Sequence, residues 1–72
     1  MNMARYISSA VVTFAPKDNH SLESYVATVL RLDFVVGATV FHAVEYIRKN
    51  PLVKSYLNKY IIINLTFQYS EL

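Results

Sequence analysis

His42 and Glu45 stand three apart, a spacing that places an imidazole and a carboxylate on one face of a helix, as a metal-ligand pair needs. A metal centre takes three or four ligands, and the chain offers only one further histidine, His20, with no second pair of this kind. The two residues therefore read as part of a solvated polar stripe. The other carboxylates, Asp18, Glu23, Asp33 and Glu71, are scattered, and no Ser or His joins them in a catalytic motif. Asp33, close to Arg31, reads as a solvent-facing ion pair rather than a functional buried charge. With no cysteine and a single glycine, the chain has no thiol nucleophile, no cysteine zinc site and no glycine-rich phosphate loop. The expectation is a protein that is not an enzyme and carries neither cofactor nor metal.

One local charge pattern points elsewhere. Arg48, Lys49, Lys54 and Lys59 are four of the seven basic residues, and no acid separates them after Glu45. Tyr56 and Tyr60 lie among them, where aromatic rings could stack on bases. Their helical phase with Leu52, Val53 and Leu57 points to a core role instead, and cations near helix ends also complement the helix dipole. Four charges are few beside the roughly six to ten phosphate contacts of committed DNA binders. A net charge of +2 and a pI near 9.0 keep nucleic acid open without selecting it.

These side chains need elements to hold them. Arg5 to Ala15 alternates as a strand, with Tyr6, Ser8, Ala10, Val12 and Phe14 on one face and Ile7, Ser9, Val11 and Thr13 on the other. The first face is the more aromatic and is expected to be buried. Pro16, Lys17, Asp18 and Asn19 form a turn. Ser21 and Glu23 then mark a helix start. The apolar positions Leu22, Tyr25, Val29, Leu32, Val36, Val40, Ala43 and Ile47 recur at steps of three or four, which predicts one long helix from Leu22 to Lys49, roughly 42 Å in length. The rival reading is a buried strand over Phe34 to Phe41, where β-branched residues cluster and Gly37 weakens a helix by about 1 kcal/mol.

Asn50-Pro51 is the clearest punctuation: proline disfavours helix at the residue before it and suits the first position of a new one, with Asn50 as cap. The short helix that follows presents Leu52, Val53, Tyr56, Leu57 and Tyr60 inward and Lys54, Ser55, Asn58 and Lys59 to solvent. Ile61 to Ser70 reads as the second strand, with Ile61, Ile63, Leu65, Phe67 and Tyr69 opposite Ile62, Asn64, Thr66, Gln68 and Ser70. The Asn64-Leu65-Thr66 sequon reads as ordinary outward strand positions.

The whole is one α+β domain, residues 1–72, in the order strand, long helix, short helix, strand. The terminal strands pair antiparallel, and the helices lie on one face. A chain this short buries only about 60% of the surface its unfolded form exposes, and with 54% hydrophobic residues and no disulfide it depends on packing or association. Each strand is expected to leave a long unpaired edge. Phe34, Val35, Phe41 and Val44 on the helix, with Ile62, Asn64 and Thr66 on the last strand, form the candidate association surface, and dimerisation is expected to extend the sheet.

The functional expectation is a macromolecular interaction module, an adapter, inhibitor or small subunit, that works as a homo-oligomer and binds a partner protein. The second reading is a small basic nucleic-acid-binding dimer using residues 48–59. A third is a subunit at a membrane surface or within a larger assembly. The opening residues do not resemble a secretory signal, and the uncharged stretch from Phe34 to Val44 falls short of the roughly 20 residues of a membrane span, so the expected location is the cytoplasm. Richness in Ile, Asn, Lys, Tyr and Phe, whose codons are AT-rich, fits a compact viral or mobile-element genome.

Overall fold

The computed structural model describes residues 5–18, 21–32 and 38–71. Three antiparallel strands form one sheet, and two short helices pack on one of its faces. Strand β1 (Arg5–Pro16) is central, flanked by β2 (Val26–Arg31) and β3 (Tyr60–Glu71). Between β2 and β3 run helix α1 (Val40–Lys49) and helix α2 (Pro51–Tyr56). The two terminal strands pair antiparallel as their alternation implies.

The long helix from Leu22 to Lys49 is not what the chain forms. A single 3-10 turn spans Leu22–Ser24, Tyr25 is extended, and Val26–Arg31 is a strand paired with β1. Ser21 makes no capping bond to this turn; its hydroxyl lies 3.0 Å from that of Ser24. Exposure in β2 follows a period of two, with Val26 and Thr28 half-buried, Leu30 buried, and Ala27, Val29 and Arg31 exposed. Val29, which a helical seam would hide, is 63% exposed. The β-branched Val26, Thr28 and Val29 suit a pleated surface, and pairing there satisfies the second edge of β1, which a helix would leave open. The rival strand over Phe34 to Phe41 also fails where it can be seen, because Val40 and Phe41 belong to α1. His20, Asp33, Phe34, Val35, Val36 and Gly37 lie outside the described residues.

Two irregularities set the faces of the sheet. In the register with β3, Ile7 opposes Tyr69 and Ser9 opposes Gln68, so Ser8 is an extra residue in β1. Thr13 opposes Asn64 and Phe14 opposes Ile62, so Ile63 is an extra residue in β3. Each bulge reverses the alternation beyond it. Ile7 is therefore buried with Ala10, Val12 and Phe14, and not on the opposite face from them. In β3 the inward residues are Tyr60 and Ile62 before the bulge and Leu65 and Phe67 after it; Ile61 and Ile63 are exposed.

The rows across the inner face follow from the pairing: Leu30–Ala10–Phe67, Thr28–Val12–Leu65 and Val26–Phe14–Ile62. Ala43 and Ile47 of α1 and Val53 of α2 complete the core. Phe14 is fully buried, a contribution of about 1.5–3 kcal/mol from apolar transfer. Its ring stacks on Tyr56 and meets Tyr60 edge-on, with centroids 6.3 Å apart in the second contact.

Helix ends are fixed by local chemistry. Thr39 caps α1, where its Oγ1 accepts from the His42 amide at 3.4 Å while the Thr39 amide donates to His42 Nδ1 at 3.2 Å. This reciprocal pair satisfies two of the helix's otherwise unpartnered N–H groups. Asn50 separates the helices as its position before Pro51 implies. Its amide donates to the Ile47 carbonyl, and its Oδ1 accepts from Leu52 and Val53 at 2.9 and 3.3 Å. Leu52, grouped with the inward residues by its helical phase, remains exposed on this short helix.

Candidate interaction surface

The outer face of the sheet carries three rows: Arg31–Ser9–Gln68, Val29–Val11–Thr66 and Ala27–Thr13–Asn64. They are mostly polar or β-branched side chains. Asn64 and Thr66, expected to face outward, do so, and Asn64 Nδ2 donates to Thr66 Oγ1 at 3.4 Å. Ser9 Oγ donates to Gln68 Oε1 across the same face. Ile62 is not part of this surface. The bulge at Ile63 turns it inward, where it lies half-buried against the core.

On the helical side, α1 buries Ala43 and Ile47 and leaves Val40, Phe41 and Tyr46 at the surface. Phe41 is 70% exposed, and its ring meets only the edge of His42 among the ring contacts described, at 6.5 Å between centroids. Val44 is half-buried beside it. Of the expected association residues, Phe41, Val44, Asn64 and Thr66 thus reach solvent in whole or part, on two sides of the molecule, while Phe34 and Val35 lie outside the described residues. Val29, Ile61 and Ile63 are exposed apolar residues that periodicity alone placed inside. The signal that could have found them is the β-branched run in β2 and the unbroken Ile61-Ile62-Ile63, in which alternation has no preferred phase.

The basic residues do not gather into one patch with the tyrosines. Glu45 sits 3.7 Å from the Arg48 guanidinium and 4.0 Å from Lys49 Nζ, in exposed i,i+3 and i,i+4 pairs. Tyr56 and Tyr60 pack on Phe14 and on each other, with 5.4 Å between their centroids, so their faces are engaged in the core. Lys54 is exposed at the end of α2. Lys59 is exposed in the turn before β3, and its carbonyl accepts from the Lys17 amide at 2.9 Å. A shallow depression there is lined by Pro16, Lys17, Asp18, Asn58, Lys59 and Tyr60, which mixes both signs of charge.

His42 is occupied as a helix cap, which uses Nδ1 as an acceptor. Among the described residues no three His, Asp or Glu side chains come together as a metal site. No described helix is long and apolar enough to cross a membrane. No family model, curated protein or solved structure matches the chain.

Proposed function

We propose that this protein is a non-enzymatic interaction module, an adapter, inhibitor or small subunit, that works in the cytoplasm as a homo-oligomer and binds a partner protein. The observation that carries the reading is Phe41, a large aromatic side chain left 70% exposed on a helix whose other face is already packed. Lone exposed apolar residues are ordinary, but Val40 precedes Phe41 in the same turn and the half-buried Val44 lies one turn on. Aromatic anchors of this kind supply most of the energy where proteins meet. The test is capture from the native source with the native chain and with Phe41→Ser. A defined protein retained in fixed ratio by the first and lost by the second supports the reading; equal retention, or none, contradicts it.

A second reading, a basic dimer that binds nucleic acid through residues 48–59, draws on the exposed Lys54 and Lys59 and on the backbone bond that sets Lys17 beside Lys59. It requires retention on DNA or RNA that falls with rising salt and is lost in Lys54→Glu/Lys59→Glu. Indifference to salt and to those substitutions removes it.

A further inference from the structure

The sheet has two edges of unequal character. β2 is six residues long and closes on a charged residue, Arg31. β3 is twelve residues long, with no charge and no proline from Tyr60 to Ser70, and its edge away from β1 has no strand partner among the described residues. Short length, charge and proline are the usual guards of an edge, and β3 is long and has neither charge nor proline before its terminal Glu71.

The direction of the free groups can be read from β1. The Gln68 carbonyl accepts from Ser8 Oγ at 3.2 Å, so it is turned toward β1. Backbone alternation then turns the N–H and C=O groups of Leu65, Phe67 and Tyr69 toward the open edge. The bulge at Ile63 limits the regular run to Asn64 and beyond, and Phe67 is the midpoint of Asn64 to Ser70.

We propose that a second copy of this chain pairs along that edge, β3 against β3, about a two-fold axis at Phe67. The two three-stranded sheets then form one continuous sheet. The proposal rests on the homo-oligomer reading above and names its interface. In this register Phe67 meets its own copy and Leu65 meets Tyr69 on the inner face. Thr66 meets Gln68 and Asn64 meets Ser70 on the outer face. Every inner pair is apolar or aromatic, and every outer pair joins a hydroxyl or amide to another, the combinations that stabilise cross-strand neighbours. Moving the axis to Leu65 sets the inward Ile62 against the outward Gln68, because the bulge reverses the faces there. The strand is thus complementary to itself in its longest regular register. Pairing also covers inner-face area that β3 leaves open, since Leu65 and Phe67 are only partly buried and Tyr69 is exposed.

The test uses two double variants of the full chain, Thr66→Lys/Gln68→Lys and Thr66→Glu/Gln68→Glu, which place like charges opposite one another twice. The native chain should sediment at twice the chain mass of 8.3 kDa. Each variant alone should drop twofold in mass with an unchanged circular dichroism spectrum, and an equimolar mixture of the two should recover the dimer. A native dimer whose charged variants remain dimeric overturns β3 pairing and leaves association by another surface standing. A monomeric native chain overturns both. Should the variants fail to fold, amide exchange on the native chain decides: the Leu65, Phe67 and Tyr69 amides should slow by about tenfold or more from dilute to concentrated protein. Rapid exchange at these amides at every concentration overturns the pairing.

Discussion

The rings of Phe14 and Tyr56 lie stacked, 4.6 Å between centroids and 16° from parallel, and this contact ties the central strand to the short second helix. Phe14 comes from β1 and Tyr56 from the last turn of α2, so the stack fixes how the helical layer sits on the sheet. Removal of the ring in Phe14→Ala should destabilise the fold by about 3–5 kcal/mol, the usual range for emptying such a site. Tyr56→Phe, which keeps the stack, should cost far less. Urea unfolding of the two variants checks this, and equal losses would show that the stack is not what joins the layers.

The cap of α1 yields a second prediction. Thr39 and His42 serve each other, so either substitution to alanine should cost about 0.5–2 kcal/mol and the double substitution little more than the larger single one. A thermal-unfolding double-mutant cycle reads the coupling. Fully additive losses would mean that the two side chains act independently.

Asn50 ends one helix through its backbone N–H and starts the next through its side chain. Asn50→Ala removes the acceptor for the Leu52 and Val53 amides and should cost about 1 kcal/mol, while Asn50→Asp, which keeps an acceptor there, should be close to neutral. Chemical denaturation distinguishes the two, and equal cost in both would discount the cap.

Ser8 is the extra residue that lets Ile7 share the inner face with Ala10. Deleting Ser8 should leave a regular strand in which Ile7, now two places before Ala10, still faces inward, and should cost little. Inserting one alanine between Ile7 and Ser8 should instead turn Ile7 outward and lower stability several times more, since a one-residue slip moves the rest of the strand to the wrong face. Melting temperatures of both variants test this. An insertion as stable as the deletion would show that the bulge does not set the face of Ile7.

The parts of this architecture that were legible in the sequence are those encoded locally. Asn50-Pro51 carries its own capping chemistry, and the alternation of Arg5–Ala15 and Ile61–Ser70 is strong enough to reveal two strands. Faces were less legible than strands, because a bulge is a register event between two strands, and neither Ser8 nor Ile63 differs from its neighbours in a way that announces one. β2 was hidden for a different reason. Leu22, Tyr25, Val29 and Leu32 fall on a helical period by spacing, whereas the preference of Val26–Arg31 for an extended form is decided by the free edge of β1, ten or more residues earlier. Solvent exposure was legible where it depended on helix phase, as at Phe41. It was misplaced where it depended on strand phase, as at Ile62.

The account turns on whether the folded chain leaves surface that its own residues do not cover. Sedimentation equilibrium of the unmodified protein across a wide concentration range tests this most directly. The predicted result is reversible association to a dimer, with mass rising toward twice the chain value as concentration increases. A single species at the chain mass throughout, with no trend, would contradict it.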